Sequence, residues 1–270
     1  MIREDFHIHT NFCDGKNTPR EMVEAALEKG FTDLGFSGHG DFGFCEPGFG
    51  MSDQILEKYK ETIQELREEY KGKIRLYTGI ELDCLGPVQK ADYAIGSTHC
   101  IEKNGEYIEV DYTPEVLEEG VKRLWQGDWY AMTRDYFELE ASVYRRTGCT
   151  WVGHFDLVAK FNEKGGYFDE NCDAYREPAL AAMKELNDQG LPFEINTGAM
   201  SRGLKSVPYP SAFLLRELKA MGGRILINSD SHSARHIGFG FEQARKIAWD
   251  CGFRTRLILA PDGGFREVLL

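Results

Sequence analysis

Asp5-Phe-His-Ile-His-Thr10, followed by Thr18-Pro-Arg-Glu-Met-Val-Glu-Ala-Ala-Leu27, is the stretch of sequence that decides the fold. The first segment is a short apolar run that predicts a β-strand. The second predicts a helix, because Thr18 is a favourable N-cap, Pro19 suits the first helical position and Glu21 lies three residues after the cap. A strand followed by an amphipathic helix is the repeating unit of a parallel sheet.

The same alternation continues to the end of the chain. Apolar runs predict seven strands, at 5–10, 33–37, 74–80, 93–96, 151–153, 192–196 and 224–228. Helices are predicted at 18–27, 52–70, 114–147, 174–189, 211–221 and 241–250, and a closing segment at 255–259. Seven successive strand–helix units predict an α/β protein with a parallel sheet that closes into a barrel.

Size and charge restrict the classes of function. The chain has 270 residues and a formal net charge of −12, from 44 acidic and 32 basic side chains. Such a surface repels the phosphates of long nucleic acids, which normally require a basic surface. Small phosphorylated substrates are compatible with it, because bound cations invert the local field. We expect one domain over residues 1–270 and no nucleic acid polymer among its partners.

Cysteine spacing and hydropathy indicate the cellular compartment. The seven cysteines are widely spaced, and no two have the two-residue gap typical of zinc knuckles and redox pairs, which favours reduced thiols. No apolar stretch precedes His7, and none elsewhere approaches the ~20 residues of a membrane span. We therefore expect a cytoplasmic protein that does not associate with membranes. Nothing in the sequence predicts its oligomeric state.

The ends of the predicted strands carry most of the histidines. Six of the seven lie at, or one residue past, the end of an apolar run, and three carboxylates lie in similar places. Active sites of parallel barrels are built at the carboxyl ends of the strands, and imidazole and carboxylate groups bind zinc, iron or manganese. The pattern predicts a multinuclear metal centre made by His7, His9, Asp14, His39, Glu81, His99, His154, Asp230 and His232.

The spacing of these residues suggests how they act. His7 and His9 are two apart on a strand, so both side chains leave the same face and can bind one ion together. Glu81 is our candidate for a carboxylate that bridges two ions. Clustered cations generate hydroxide near neutral pH and stabilise the oxygens of a phosphate ester. We therefore expect a small phosphorylated substrate.

The motifs around these ligands resemble the PHP (polymerase and histidinol phosphatase) superfamily. They are His7-Ile-His-Thr10, Asp14-Gly15, Gly38-His39, Gly79-Ile-Glu81, Gly96-Ser-Thr-His99, Gly153-His154-Phe-Asp156 and Asn228-Ser-Asp230-Ser-His232. The resemblance covers nearly the whole chain and implies a distorted (β/α)7 TIM-like barrel with three divalent metal ions, whose identity stays open among zinc, iron and manganese. The implied ligand groups are His7, His9, Glu81 and Asp230; Glu81, His99 and His154; and Asp14, His39 and His232.

Within the superfamily, the chain is most similar to the stand-alone histidinol-phosphate phosphatases. The similarity rests on Glu194-Ile-Asn-Thr197, Arg202-Gly203, Tyr209-Pro-Ser211 and the segment 232–244. It implies hydrolysis of L-histidinol phosphate to L-histidinol and phosphate, in histidine biosynthesis. Gly38-His-Gly-Asp-Phe42 departs from the Glu-His segment of this branch, beside the expected substrate pocket.

Further residues are candidates for substrate binding and proton transfer. Arg202 follows the sixth strand, where a guanidinium group can hold phosphate oxygens in a forked pair and absorb developing charge. Lys160 and Arg235 are further candidates for phosphate binding. Asp156 and His236 are candidates for donating a proton to the leaving alcohol, and a water held by the metal ions is an alternative donor.

Two other functions are compatible with the same ligands. One is a phosphodiesterase or exonuclease that acts on nucleotides or another small phosphate ester, as other members of the superfamily do. The acidic charge and the absence of a basic, aromatic-rich tract disfavour polymer binding. The other is a non-catalytic scaffold that only holds metal ions.

Overall fold

A parallel sheet forms the centre of the structure, a computed structural model that describes residues 2–43 and 49–270. The strands in this part of the chain are β1 (Glu4–Asp5), β2 (Asp33–Phe36), β3 (Arg75–Asp83), β4 (Tyr93–Ser97), β5 (Cys100–Lys103), β6 (Glu106–Glu109), β7 (Trp151–Val152), β8 (Phe193–Asn196), β9 (Ile225–Asn228), β10 (Thr255–Leu259) and β11 (Phe265–Leu269). Seven of them form one sheet in the order β1-β2-β3-β4-β7-β8-β9, and all neighbours are parallel. The prediction of seven parallel strands is confirmed, although the first, predicted at 5–10, extends only over Glu4–Asp5.

Contacts just beyond β1 and β9 bring the two edges of this sheet together. Ile8 and Ser231 form a parallel bridge. His9 N donates to Ser231 O at 2.9 Å, and Ser231 N donates to His7 O at 3.1 Å. The sheet is therefore a nearly closed barrel, and the prediction of a (β/α)7 barrel is confirmed.

Helices connect the strands. Their bounds are α1 (Pro19–Glu28), α2 (Asp53–Glu69), α3 (Pro114–Leu124), α4 (Trp129–Glu140), α5 (Val143–Thr147), α6 (Asn162–Gly165), α7 (Asp173–Asp188), α8 (Gly198–Ser201), α9 (Ala212–Ala220) and α10 (Phe241–Asp250). The capping box predicted for α1 is present: Thr18 Oγ1 accepts from Glu21 N, and Thr18 N donates to the Glu21 carboxylate. The apolar face of α1, with Met22 and Val23, is buried against the barrel.

An antiparallel hairpin closes the end of the barrel where the strands begin. The predicted closing segment 255–259 is β10, which pairs with β11 and stays outside the parallel sheet. Leu257 and Leu259 of β10 join an apolar cluster with Tyr93 and Trp151, the first residues of β4 and β7. The rings of Tyr93 and Trp151 stack at 4.8 Å between centroids. This apolar end leaves only the opposite end of the barrel for a polar site.

A second hairpin was not predicted. β5 and β6 pair antiparallel through a two-residue turn in which Asn104 and Gly105 have φ values of 57° and 83°. Asn-Gly is the pair that favours such a turn, because both residues tolerate positive φ. The helical stretch predicted at 114–147 follows this hairpin and divides into α3, α4 and α5.

The described cysteines are free thiols, and Cys45 lies outside the described residues. Within 2–43 and 49–270, no helix combines the length and the apolar character required to cross a membrane.

Candidate metal centre

All nine predicted metal ligands lie together at the carboxyl ends of the barrel strands. The set is largely buried, apart from Asp14 and His232, whose side chains are 28% and 21% exposed. His7 and His9 follow β1, His39 follows β2, and Glu81 lies near the end of β3. His99 follows β4, His154 follows β7, and Asp230 and His232 follow β9. Asp14 lies in the turn that follows His9. The structure thus brings together residues that are up to 225 positions apart in the sequence.

Glu81 is at the middle of this cluster. Its Oε2 lies 3.3 Å from Nε2 of both His7 and His9 and 3.0 Å from His39 Nδ1. Its Oε1 lies 3.3 Å from His99 Nε2 and 2.9 Å from His154 Nε2. Burial opposes ionisation of Glu81, but the surrounding imidazoles outweigh it and hold the pKa of this carboxyl well below its usual range. The two carboxylate oxygens face different histidines, as a bridging ligand requires.

The remaining carboxylates, Asp14 and Asp230, each lie within 4 Å of three histidines. Asp14 Oδ2 lies 2.9 Å from His232 Nε2, and its Oδ1 lies 3.3 Å from His9 Nδ1 and 3.7 Å from His39 Nε2. Asp230 Oδ1 lies 3.3 Å from His9 Nε2. His9 therefore contacts both the group implied around Asp14 and the group implied around Asp230. The ligand sets implied by the resemblance share Glu81, and the structure adds that His9 of one set also contacts Asp14 of another.

The donor atoms in this cluster match divalent metal ions. His7 Nε2, His9 Nε2, His39 Nδ1 and Glu81 Oε2 are buried, converge on one point and have no hydrogen-bond partner within the described residues. Burying polar atoms without partners costs about 1–3 kcal/mol each. Imidazole nitrogen and carboxylate oxygen are the preferred ligands of divalent transition metals. The residues present therefore fit such ions.

Carboxylates outside the cluster orient two of its histidines. Glu194 accepts from His7 Nδ1 at 2.9 Å, from Trp151 Nε1 at 3.1 Å and from Asn228 Nδ2 at 3.0 Å. Asp83 Oδ2 accepts from the backbone N of His99 at 2.8 Å and lies 3.4 Å from His99 Nδ1. Such contacts fix the tautomer and direction of a metal-binding imidazole. Sequence reasoning did not assign these roles.

Arg202, the predicted phosphate ligand, borders the cluster. The residue follows the short helix α8, which begins directly after β8 and turns the chain towards β9. One guanidinium nitrogen lies 3.1 Å from His232 Nδ1 and the other lies 3.3 Å from Asp230 Oδ2. Burial lowers the pKa of Arg202, but Asp230 outweighs this effect and raises it.

A cavity of about 290 Å³ opens over the cluster, and Arg202 and Lys160 both line it. Lys160 Nζ donates to Asp111 O at 2.7 Å and to Asp111 Oδ2 at 3.0 Å. Burial opposes ionisation of Asp111, but Lys160 and His99 lower its pKa to about 2. Sequence reasoning missed several further lining residues: Lys16, Glu109, Asp111 and Tyr112. Glu109 is the last residue of β6, and Asp111 and Tyr112 follow the hairpin, which was also missed; its Asn-Gly turn was the available signal.

Three other candidates lie outside the residues that line this cavity. Arg235 is exposed, and His236 is partly exposed, with its ring 5.9 Å from that of Phe239. Asp156 is fully buried, accepts from Ser211 N at 3.0 Å, and burial raises its pKa to about 6. The roles assigned to these three residues stay predictions.

Comparison with known proteins identifies similar chains. The model of the PHP domain matches residues 5–198. A probable histidinol-phosphatase of Deinococcus radiodurans is 30% identical, over 93% of this chain and 94% of that protein. The histidinol-phosphatase of Bacillus subtilis is 26% identical, over 90% of this chain and 98% of that protein.

A solved structure is also similar. It is the histidinol phosphate phosphatase of Lactococcus lactis in complex with zinc, L-histidinol and phosphate. It is 26% identical, the match covers 94% of this chain and 95% of that one, and the TM-score is 0.71. The two chains therefore share the fold over nearly their full lengths.

Proposed function

The chain belongs to the PHP domain family, and from this premise we propose that it hydrolyses L-histidinol phosphate to L-histidinol and inorganic phosphate. The similar structure from Lactococcus lactis, bound to zinc, L-histidinol and phosphate, supports this substrate. The reaction belongs to the phosphoric monoester hydrolases. We assign residues 1–270 to one phosphoesterase domain, and we place the reaction in histidine biosynthesis in the cytoplasm.

The proposal includes three divalent metal ions, which are zinc, iron or manganese. The nine clustered residues would hold them, with Glu81 between two ions and His9 near two. Bound cations of this kind neutralise phosphate charge and acidify water near neutral pH. The orphaned nitrogens of His7, His9 and His39 support metal binding at this place.

The cavity residues would bind and orient the substrate. Arg202 has the planar, forked geometry that suits phosphate oxygens, and its position beside His232 places it against the metal cluster. Lys160 lies on the same cavity, but its charge is already balanced by Asp111. A cavity of about 290 Å³ suits a small monoester better than a polymer.

The leaving alcohol requires a proton, and two groups stay candidates. Asp156, with a pKa of about 6, is partly protonated near neutral pH. His236 is the other candidate. Because neither residue lines the cavity, a proton from either would have to pass through an intervening group.

The observation that carries the proposal is that the two oxygens of the Glu81 carboxylate contact five imidazoles, in a cluster that Arg202 borders. Phosphate release from a panel of substrates tests it: L-histidinol phosphate, a nucleoside monophosphate and a dinucleotide, with metal-replete protein and with Glu81→Gln as the inactive control. We expect L-histidinol phosphate to be hydrolysed fastest. Faster cleavage of the dinucleotide would favour the phosphodiesterase, and no hydrolysis of any ester would favour the scaffold.

A further inference from the structure

Lys16 is a cation at the cavity that forms no ion pair with any carboxylate in residues 2–43 and 49–270. Its side chain lines the same cavity as Arg202 and Lys160. Lys160 pairs with Asp111, and Arg202 pairs with Asp230. In the described part of the chain, Lys16 Nζ has no hydrogen bond and no ion pair. An unbalanced ammonium group at a cavity wall attracts an anion.

The backbone holds Lys16 at one particular side of the cavity. Lys16 N donates to His232 O at 2.9 Å, and the guanidinium of Arg202 lies 3.1 Å from the ring of His232. Lys16 and Arg202 therefore both contact His232, Lys16 at its backbone oxygen and Arg202 at its ring. The ionised Asp111 also lines the cavity, where its charge acts on both His99 and Arg202. The His232 side of the cavity thus carries two cationic side chains, Lys16 and Arg202, beside the carboxylates of Asp14 and Asp230 that contact His232.

We propose that Lys16 binds a peripheral oxygen of the substrate's phosphoryl group and favours dianionic monoesters over monoanionic diesters. The inference rests on the proposed function only in taking a phosphate ester as the substrate. A second ammonium charge near Arg202 adds more attraction to a dianion than to a monoanion, because the Coulomb energy scales with the charge of the ligand. Lys16 is exposed, so the gain is modest and sensitive to salt.

Binding of inorganic phosphate to the metal-loaded protein tests this inference without reference to the organic part of the substrate. The informative variants are Lys16→Met, which removes the charge and keeps the length, and Lys16→Arg, which keeps the charge. Lys58→Met is the matched control, because Lys58 is an exposed lysine of α2 away from the cavity. Calorimetry at two ionic strengths gives the dissociation constants, and elemental analysis gives the metal content of each variant.

We expect Lys16→Met to weaken phosphate binding about 3- to 10-fold, with a smaller salt dependence, while Lys16→Arg and Lys58→Met resemble the parent protein. The ratio of kcat/KM for a monoester to that for its methyl diester should fall in Lys16→Met by a similar factor, mainly through KM. Equal phosphate binding by Lys16→Met and Lys58→Met, or an effect explained by lost metal, would overturn the inference. Lys16-dependent phosphate binding without hydrolysis of L-histidinol phosphate would refute the substrate and leave this inference standing.

Discussion

His7 Nδ1 lies 2.9 Å from one carboxylate oxygen of Glu194 and 3.0 Å from the other, and this contact directs the opposite ring nitrogen towards the metal cluster. His7 Nε2 consequently lies 3.3 Å from Glu81. Burial lowers the pKa of His7, but Glu194 and Glu81 outweigh this effect and raise it to about 10. Metal binding at His7 must therefore displace a proton, which makes the affinity dependent on pH.

We expect Glu194→Gln to weaken metal binding about 10- to 100-fold, because the amide keeps the shape of the carboxylate but loses the charge that orients His7. Metal content after dialysis against a graded chelator, measured by elemental analysis, checks this. Glu119→Gln, at an exposed glutamate of α3, is the control. Equal metal retention by the two variants would show that Glu194 has only a structural role.

Arg202 provides a second prediction. Its two guanidinium nitrogens contact His232 and Asp230 separately, and a lysine has a single nitrogen that cannot repeat this arrangement. We expect Arg202→Met to lower kcat/KM about 10²-fold and Arg202→Lys to recover only part of the loss. Steady-state kinetics with L-histidinol phosphate measures both. Full activity of Arg202→Lys would mean that charge alone, without forked geometry, is sufficient.

The sequence predicted the barrel and the positions of the clustered residues well, because both depend on local patterns. Each apolar run marks a strand, and the residue after each run marks its carboxyl end. The capping box of Thr18 and Glu21 is equally local, and it is present in the structure. The β5–β6 hairpin carried a local signal at Asn104 and Gly105, but its strands have only four residues each.

The contacts between histidines and carboxylates could not be predicted from local patterns. Which nitrogen of His7 faces Glu81 depends on Glu194, 187 positions away. The sequence also does not show which face of the barrel wall carries Glu194, because every residue of β8 is buried. The position of His9 between Asp14 and Asp230 likewise requires the closure of β1 against β9.

A pH prediction concerns Glu140, a fully buried residue of α4 whose carboxylate lies 2.5 Å from Thr98 Oγ1. Burial raises the pKa of Glu140 from 4.5 to about 8, although Thr98 opposes the shift. A carboxyl with a raised pKa in the folded state stabilises the fold fully below its unfolded pKa, and this stability is lost as the pH rises towards 8. The loss is on the order of a few kcal/mol between pH 4.5 and pH 8, at ~1.4 kcal/mol per pH unit, so about 1 kcal/mol of it falls above pH 7.

Glu140→Gln should therefore lose less thermal stability than the parent protein between pH 7 and pH 9. Asp5 and Asp156, with pKa values of about 6, are largely ionised at the start of this interval, so Glu140 dominates the difference. Thermal unfolding at closely spaced pH values, with metal content held constant, measures it. Parallel curves for the variant and the parent protein would show that the fold tolerates an ionised Glu140.

The last prediction concerns Gly198, which begins α8 and has no room for a side chain. A Cβ atom at this position would lie 2.5 Å from Asp230 Oδ2 and 2.9 Å from Asp230 Cβ. Both distances are shorter than van der Waals contact, so Gly198→Ala must displace the Asp230 carboxylate from its place beside His9. We expect Gly198→Ala to lose bound metal and at least about tenfold in kcat, since misplaced ligands cost that much at metal sites.

Gly264→Ala is the matched control for Gly198→Ala, because its added Cβ would meet only Asp262 Oδ1 at 3.4 Å. Metal content and kcat, measured together with the melting temperature, separate a local effect at Asp230 from loss of the fold. A folded Gly198→Ala protein with the metal content and kcat of the control would contradict the assignment of Asp230 as a metal ligand. Loss of metal with little change in melting temperature would support it, because the clash acts on a side chain at the rim of the barrel and leaves the apolar core intact.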